Sequence, residues 1–116
     1  MITRDQVQHM FDITRERAAG WSIDEECLWS YFFTDTDRAK LLTACRELEA
    51  EGFRVVGFLE PTPEKDDQMT VFLRLDRVET HTVDTLLALN ERLSAFALAK
   101  HLGSYDGMEA AALEAQ

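Results

Sequence analysis

Basic side chains are scarce in this sequence: 12 lysines and arginines stand against 22 aspartates and glutamates in 116 residues, a formal charge of −10. A field of that sign repels nucleic-acid phosphates and anionic lipid headgroups and favours basic partners, so direct nucleic-acid binding and a membrane surface are disfavoured from the start. Long apolar runs are missing as well. Nowhere do 18 consecutive apolar residues occur, and the opening MITRDQVQHMFD has no basic segment leading into an apolar one. A spanning helix and a secretory leader are therefore not expected, and the expected location is the cytoplasm. Cysteine is limited to Cys27 and Cys45, in segments that read as strand and helix, where a reduced, buried, structural thiol is the ordinary role. Neither a Cys-x-x-Cys pair nor two histidines at i, i+4 exist among His9, His81 and His101, so no metal site is expected. There is no Gly-x-Ser-x-Gly elbow, no phosphate loop and no nucleophile with a base partner, so the expectation is a chain with no catalytic residues and no cofactor.

What is present is a regular alternation of helical and extended patterns, enough for one domain over residues 1–116. Thr3 and Gln6 have the capping-box form, and Val7, Met10, Phe11, Thr14 and Ala18 follow at helical spacing, predicting an N-terminal helix within residues 1–20 that Gly20 stops. LWSYFFT, residues 28–34, is too short for a helix and dense in aromatics, so it reads as a core strand buried on at least part of both faces. TDTD, residues 34–37, lacks the glycine and distant glutamate of a calcium loop and is better read as helix capping, with Thr34, Asp35 or Thr36 as the cap of a second helix that has Leu41, Cys45 and Leu48 on its apolar stripe and Gly52 at its end. FRVVGFL, residues 53–59, is the next strand, broken by Pro61 and Pro63 and followed by the charged stretch EKDDQ. From Met69 to Asp76 apolar residues alternate at period two, a sheet strand with one buried face. Thr82 caps a third helix with Val83, Leu86, Leu87, Leu93 and Ala97 inside, running to Gly103.

The segment GSYDGM, residues 103–108, looks like the turn of a hairpin, because Asp-Gly behind an aromatic is a strong turn signal. No second strand follows it, only EAAALEAQ, residues 109–116, which reads as a flexible tail. The expected fold is therefore α+β: a ferredoxin-like βαββαβ core over residues 28–108, a four-stranded antiparallel sheet in the order 4-1-3-2 with two helices on one face, plus the N-terminal helix. In that topology the last strand pairs with the first, and Gly107 becomes a bulge or close backbone approach inside it, with Asp106 directed to solvent or capping a local amide. The N-terminal helix is expected to dock over the open sheet face, near Phe72. Asn90 interrupts an apolar stripe and must find hydrogen bonds, most simply to a neighbouring backbone. His81 reads as a packing or hydrogen-bonding residue. Tyr105 suits either a core edge or an interface anchor.

The segment HTVDTLLALNERLSAFALAKHLGSYDGME, residues 81–109, resembles the C-terminal half of the ribonuclease E inhibitor family, RraB. The matching features are a helix beginning near Thr82, its leucine-rich face, Gly103 and then Tyr105-Asp106-Gly107, with Met108 where the founding type has an aromatic. Residues 31–56, YFFTDTDRAKLLTACRELEAEGFRVV, are compatible with that family's first strand, helix and second strand. The resemblance implies a non-enzymatic protein that binds an endoribonuclease and inhibits or modulates it. An acidic surface would suit a basic segment of such an RNA-processing enzyme. On this reading Tyr105, Asp106, Gly107 and Glu109, with Asp66 and Asp67 of the charged loop, form the expected contact set, and a homodimer is left open. An RNA-recognition domain shares the strand order, but its basic-aromatic signature is missing from MTVFLRLDR. A regulatory module that binds a small molecule is the alternative of a different class.

Overall fold

The computed structural model describes residues 2–59 and 70–113. The elements are α1 (Arg4–Arg17), β1 (Cys27–Asp35), α2 (Arg38–Arg46) continuing into a 3₁₀ turn (Glu47–Glu51), β2 (Arg54–Leu59), β3 (Val71–Glu79), α3 (Val83–Ala99) and β4 (Ser104–Ala111). The strands form one antiparallel sheet in the order β2-β3-β1-β4, which is the expected order. Among the described residues no helix is long and apolar enough to cross a membrane.

Local chemistry sets the ends of the elements. Thr3 accepts from the Gln6 amide while the Gln6 side chain accepts from the Thr3 amide, and Thr82 and Thr85 reproduce the reciprocal cap at α3. The TDTD run does serve a helix start, but the cap of α2 is Asp37, which accepts from the Lys40 amide, rather than the expected Thr34, Asp35 or Thr36, because β1 continues through Asp35. Gly52, at φ 97°, closes the 3₁₀ turn in the left-handed region. At the end of α3 the left-handed residue is His101, at φ 57°, rather than the expected Gly103. Gly103 is needed for a different reason: a Cβ there would lie 2.9 Å from the backbone oxygen of Thr34.

The central strand β1 is almost wholly buried, and its alternate residues Trp29, Tyr31 and Phe33 point into the helix layer with no exposure. Tyr31 meets Phe53 edge-on at 5.6 Å and Phe33 meets Phe96 of α3 at 5.8 Å. Helix α1 joins this same layer. Val7 and Phe11 are fully buried, Phe11 stacks on Trp29 with ring centroids 6.2 Å apart, and Arg4 pairs with Asp84 of α3. This corrects the expectation that α1 covers the open face. The physical reason is that the open face carries Arg54, Arg74 and Asp76, whose guanidinium groups are partly solvated, and an apolar stripe laid over them would strip that water and offer no hydrogen bond in return.

Strand β4 also runs farther than expected. It continues past Met108 to Ala111, with Ser30 opposite Glu109, Trp29 opposite Ala110 and Leu28 opposite Ala111, so the first three residues assigned to a flexible tail belong to the sheet. Both cysteines are free and buried; Cys27 donates its thiol to the Ser22 and Glu25 carbonyls, and burial pushes the Cys45 thiol up to about 12.

Candidate functional site

The turn-like sequence in β4 is a bulge. Phe33 pairs with Tyr105 and Phe32 with Gly107, which leaves Asp106 as an extra residue on the outer strand. Gly107 takes φ 119°, a conformation side chains rarely adopt, and so the Asp-Gly pair serves a strand irregularity instead of a reversal. Tyr105 turns inward, its ring 5.2 Å from Phe33 and its hydroxyl donating to the Asn90 side-chain oxygen. Asn90 in turn donates to the Leu86 carbonyl at 3.0 Å, so the nitrogen and the oxygen of the amide each have a partner at a core position that is 2 % exposed. Burial raises the Tyr105 pKa above its ordinary value, so the hydroxyl stays protonated and able to donate.

Of the expected contact residues, Asp106 and Glu109 are thus brought to the surface, while Tyr105 and Gly107 are turned toward the interior. Asp66 and Asp67 lie outside the described residues.

The other notable feature is the open face of the sheet. Strand pairing places Arg54, Asp76, Ser30 and Glu109 in one row across all four strands. Asp76, at 2 % exposure, accepts from Ser30 at 2.7 Å and from both Arg74 nitrogens at 2.9 and 3.0 Å. Arg54 approaches the same carboxylate at a looser 3.7 Å and keeps a largely exposed side chain. Around this polar row Leu28, Val56, Val78 and Leu113 line an open trough of about 660 Å³ with Arg54, Arg74 and Asp76. Among the described residues, four of the five large apolar side chains that stand exposed belong to this face: Val56, Val78 and Leu113 in the trough, and Leu59 beside Phe72. The signal for this site was present in β3, where Arg74 and Asp76 stand two residues apart and therefore share one face.

A second polar cluster is internal. Tyr31 donates to Glu79, His81 contacts the same Glu79 oxygen at 2.8 Å and Thr85 at 3.0 Å, and Arg77 closes on the other oxygen. Burial alone would raise the Glu79 pKa, but hydrogen bonds from His81, Tyr31 and Arg77 outweigh it and hold the carboxyl below its ordinary value. Trp29 meets the His81 ring edge-on at 5.1 Å, and His81 is 7 % exposed. The cluster ties β1, β3 and the start of α3 together, with the hydrogen-bonding role expected for His81. Among the described residues no group of three or more His, Cys, Asp or Glu is arranged to hold a metal ion. The arrangement as a whole offers a mixed, solvent-facing sheet surface suited to binding.

Residues 6–110 match the family described as Regulator of ribonuclease activity B, and the chain belongs to this RraB family. The family regulates ribonuclease activity, which gives this protein a regulatory role. Curated proteins yielded no match. Among solved structures the chain is similar to an ACT domain protein from Streptococcus pneumoniae, at 9 % identity and a TM-score of 0.50, covering 74 % of this chain and 91 % of that one. That likeness concerns the ferredoxin-like fold alone.

Proposed function

We propose that this protein is a non-enzymatic regulator that binds an endoribonuclease of the ribonuclease E type and inhibits or modulates it through protein–protein contacts. The observation that carries the reading is the family match, which extends over nearly the whole domain and through the bulged strand. The charge of −10 supports a basic segment of the nuclease as the target, since opposite fields raise the encounter rate and a surface of this sign competes poorly for RNA. Asp106 and Glu109 supply outward carboxylates on the bulged strand, positioned by the Tyr105–Asn90 clamp and by Gly107. Asp66 and Asp67 complete the proposed contact set, and the proposed setting is cytoplasmic. Contact at such exposed acids is screened by salt, so association should weaken as ionic strength rises.

The test is RNA cleavage by the cognate nuclease with and without this protein, alongside direct binding between the two. Slower or redirected cleavage, relieved when Asp106→Asn and Glu109→Gln are combined, is the expected result. Unchanged cleavage together with no association would overturn the regulator reading and favour the trough as a small-molecule site.

A further inference from the structure

The open face has a property that single residues do not reveal. Its polar row begins with a cation on β2, Arg54, and ends with an anion on β4, Glu109, at the same level along the strands. Between them the buried Asp76 is already matched by Ser30 and Arg74. A two-fold axis parallel to the strands and above the face carries β2 of one copy over β4 of the other while preserving height along the strands. Under that operation the two ends of the row exchange, and the charge pattern is complementary to itself. The same operation sets the apolar side chains that the monomer leaves in water, Leu59, Val56, Val78 and Leu113, against the opposing sheet.

We infer that the open sheet face is a self-association surface on which a second copy of this chain docks face to face, with Arg54 of each protomer paired to Glu109 of its partner. Two aligned sheets pack about 10 Å apart with their strands within about 30° of each other, which keeps the ends of the row within reach of long side chains. Four strands at about 4.8 Å and a length of about 27 Å give a face of about 500 Å² per copy. The total of about 1,000 Å² lies at the low end for specific complexes, in the class of weak or transient ones, so the dimer is a dissociable one. Glu109 also belongs to the proposed nuclease contact set, so a second copy and the nuclease would compete for it; association is measured on this chain alone, which keeps the two readings distinguishable.

Sedimentation velocity from about 1 to about 500 µM tests it, at about 0.15 M salt so that the repulsion between two copies of charge −10 is screened. Wild type is expected to pass from monomer to dimer within that range. Arg54→Glu and Glu109→Arg should each weaken association at least about tenfold, because each reversal puts like charges together at both ends of the symmetric interface. The double reversal Arg54→Glu with Glu109→Arg should restore it to within about threefold, since the pair is rebuilt with its signs exchanged. A wild-type monomer throughout, a dimer indifferent to either single reversal, or a double variant as weak as the singles overturns the inference. Arg54 lies beside Asp76, so should its reversal disturb folding, Val78→Glu on the same face provides a separate reading: weaker association upholds the proposed surface, and an unchanged dimer refutes it.

Discussion

Replacing Phe11 by Ala tests whether α1 belongs to the core or merely lies along it. The ring has no exposure, stacks on Trp29 at 6.2 Å and carries the Arg15 guanidinium 5.5 Å from its centroid. Truncation removes the transfer energy of the ring, leaves a cavity against Trp29 and exposes one side of an otherwise dry aromatic cluster. Such Phe-to-Ala changes cost about 3–5 kcal/mol, and the lower end applies because α1 lies at the margin of the helix layer and can settle inward on its remaining anchors, Val7 and the Arg4–Asp84 pair. A loss of about 3 kcal/mol is a substantial share of the total stability of a domain this size, about 6–17 kcal/mol. With a urea m-value near about 1.5 kcal/mol/M, the midpoint should fall by about 2 M. Far-UV circular dichroism is the appropriate probe, because fluorescence would report the local change at Trp29 as well as unfolding. A loss below about 0.5 kcal/mol at unchanged m would refute the reasoning and reveal α1 as a separable arm, since surface substitutions fall in that range.

Two further outcomes follow from packing and titration. Gly103→Ala should destabilise by about 1–3 kcal/mol in the same denaturation assay, because its Cβ would meet the Thr34 backbone oxygen at 2.9 Å and neither partner is a flexible side-chain end; a neutral result would show that the α3–β4 junction can open. Glu79 has a depressed pKa, so its contribution is present above the ordinary value of 4.5 and is lost as pH falls through the lower folded value. Urea midpoints should drop over that acid range and the drop should be smaller in Glu79→Gln; an identical pH profile in the two proteins would show the cluster to be energetically silent.

Much of the fold can be read from local chemistry. The reciprocal cap at Thr3, the period-two run into β3 and the aromatic density of β1 each specify one element from neighbouring residues alone. The strand order followed because those elements admit few right-handed, uncrossed arrangements. What local pattern could not reveal was which side of the sheet α1 chooses. That choice depends on Trp29 being in the helix-facing set and on Arg74 and Asp76 sharing the other face, facts that require the register of three strands at once. The true end of β4 was hidden for a related reason: Glu109, Ala110 and Ala111 have weak strand propensity and are held by pairing with β1. The candidate site divides the same way. Asp106 and Glu109 are outward, as a surface role requires, whereas the inward turn of Tyr105 depends on an Asn90 amide fifteen positions earlier.

The register shifts in the two outer strands have a consequence for how crowded copies of this chain behave. The β2–β3 ladder slips between Val55 and Gly57 just as the β1–β4 ladder slips at Asp106, so among the described residues each outer strand of the sheet carries an irregularity. A border interrupted in this way twists and offers a poor template to a neighbour's strand, and on the β4 side the interruption also presents a carboxylate. Ribbon-like growth by strand addition is thereby discouraged in both directions. The proposed face-to-face pairing, by contrast, closes after two copies and offers no further surface of the same kind for growth.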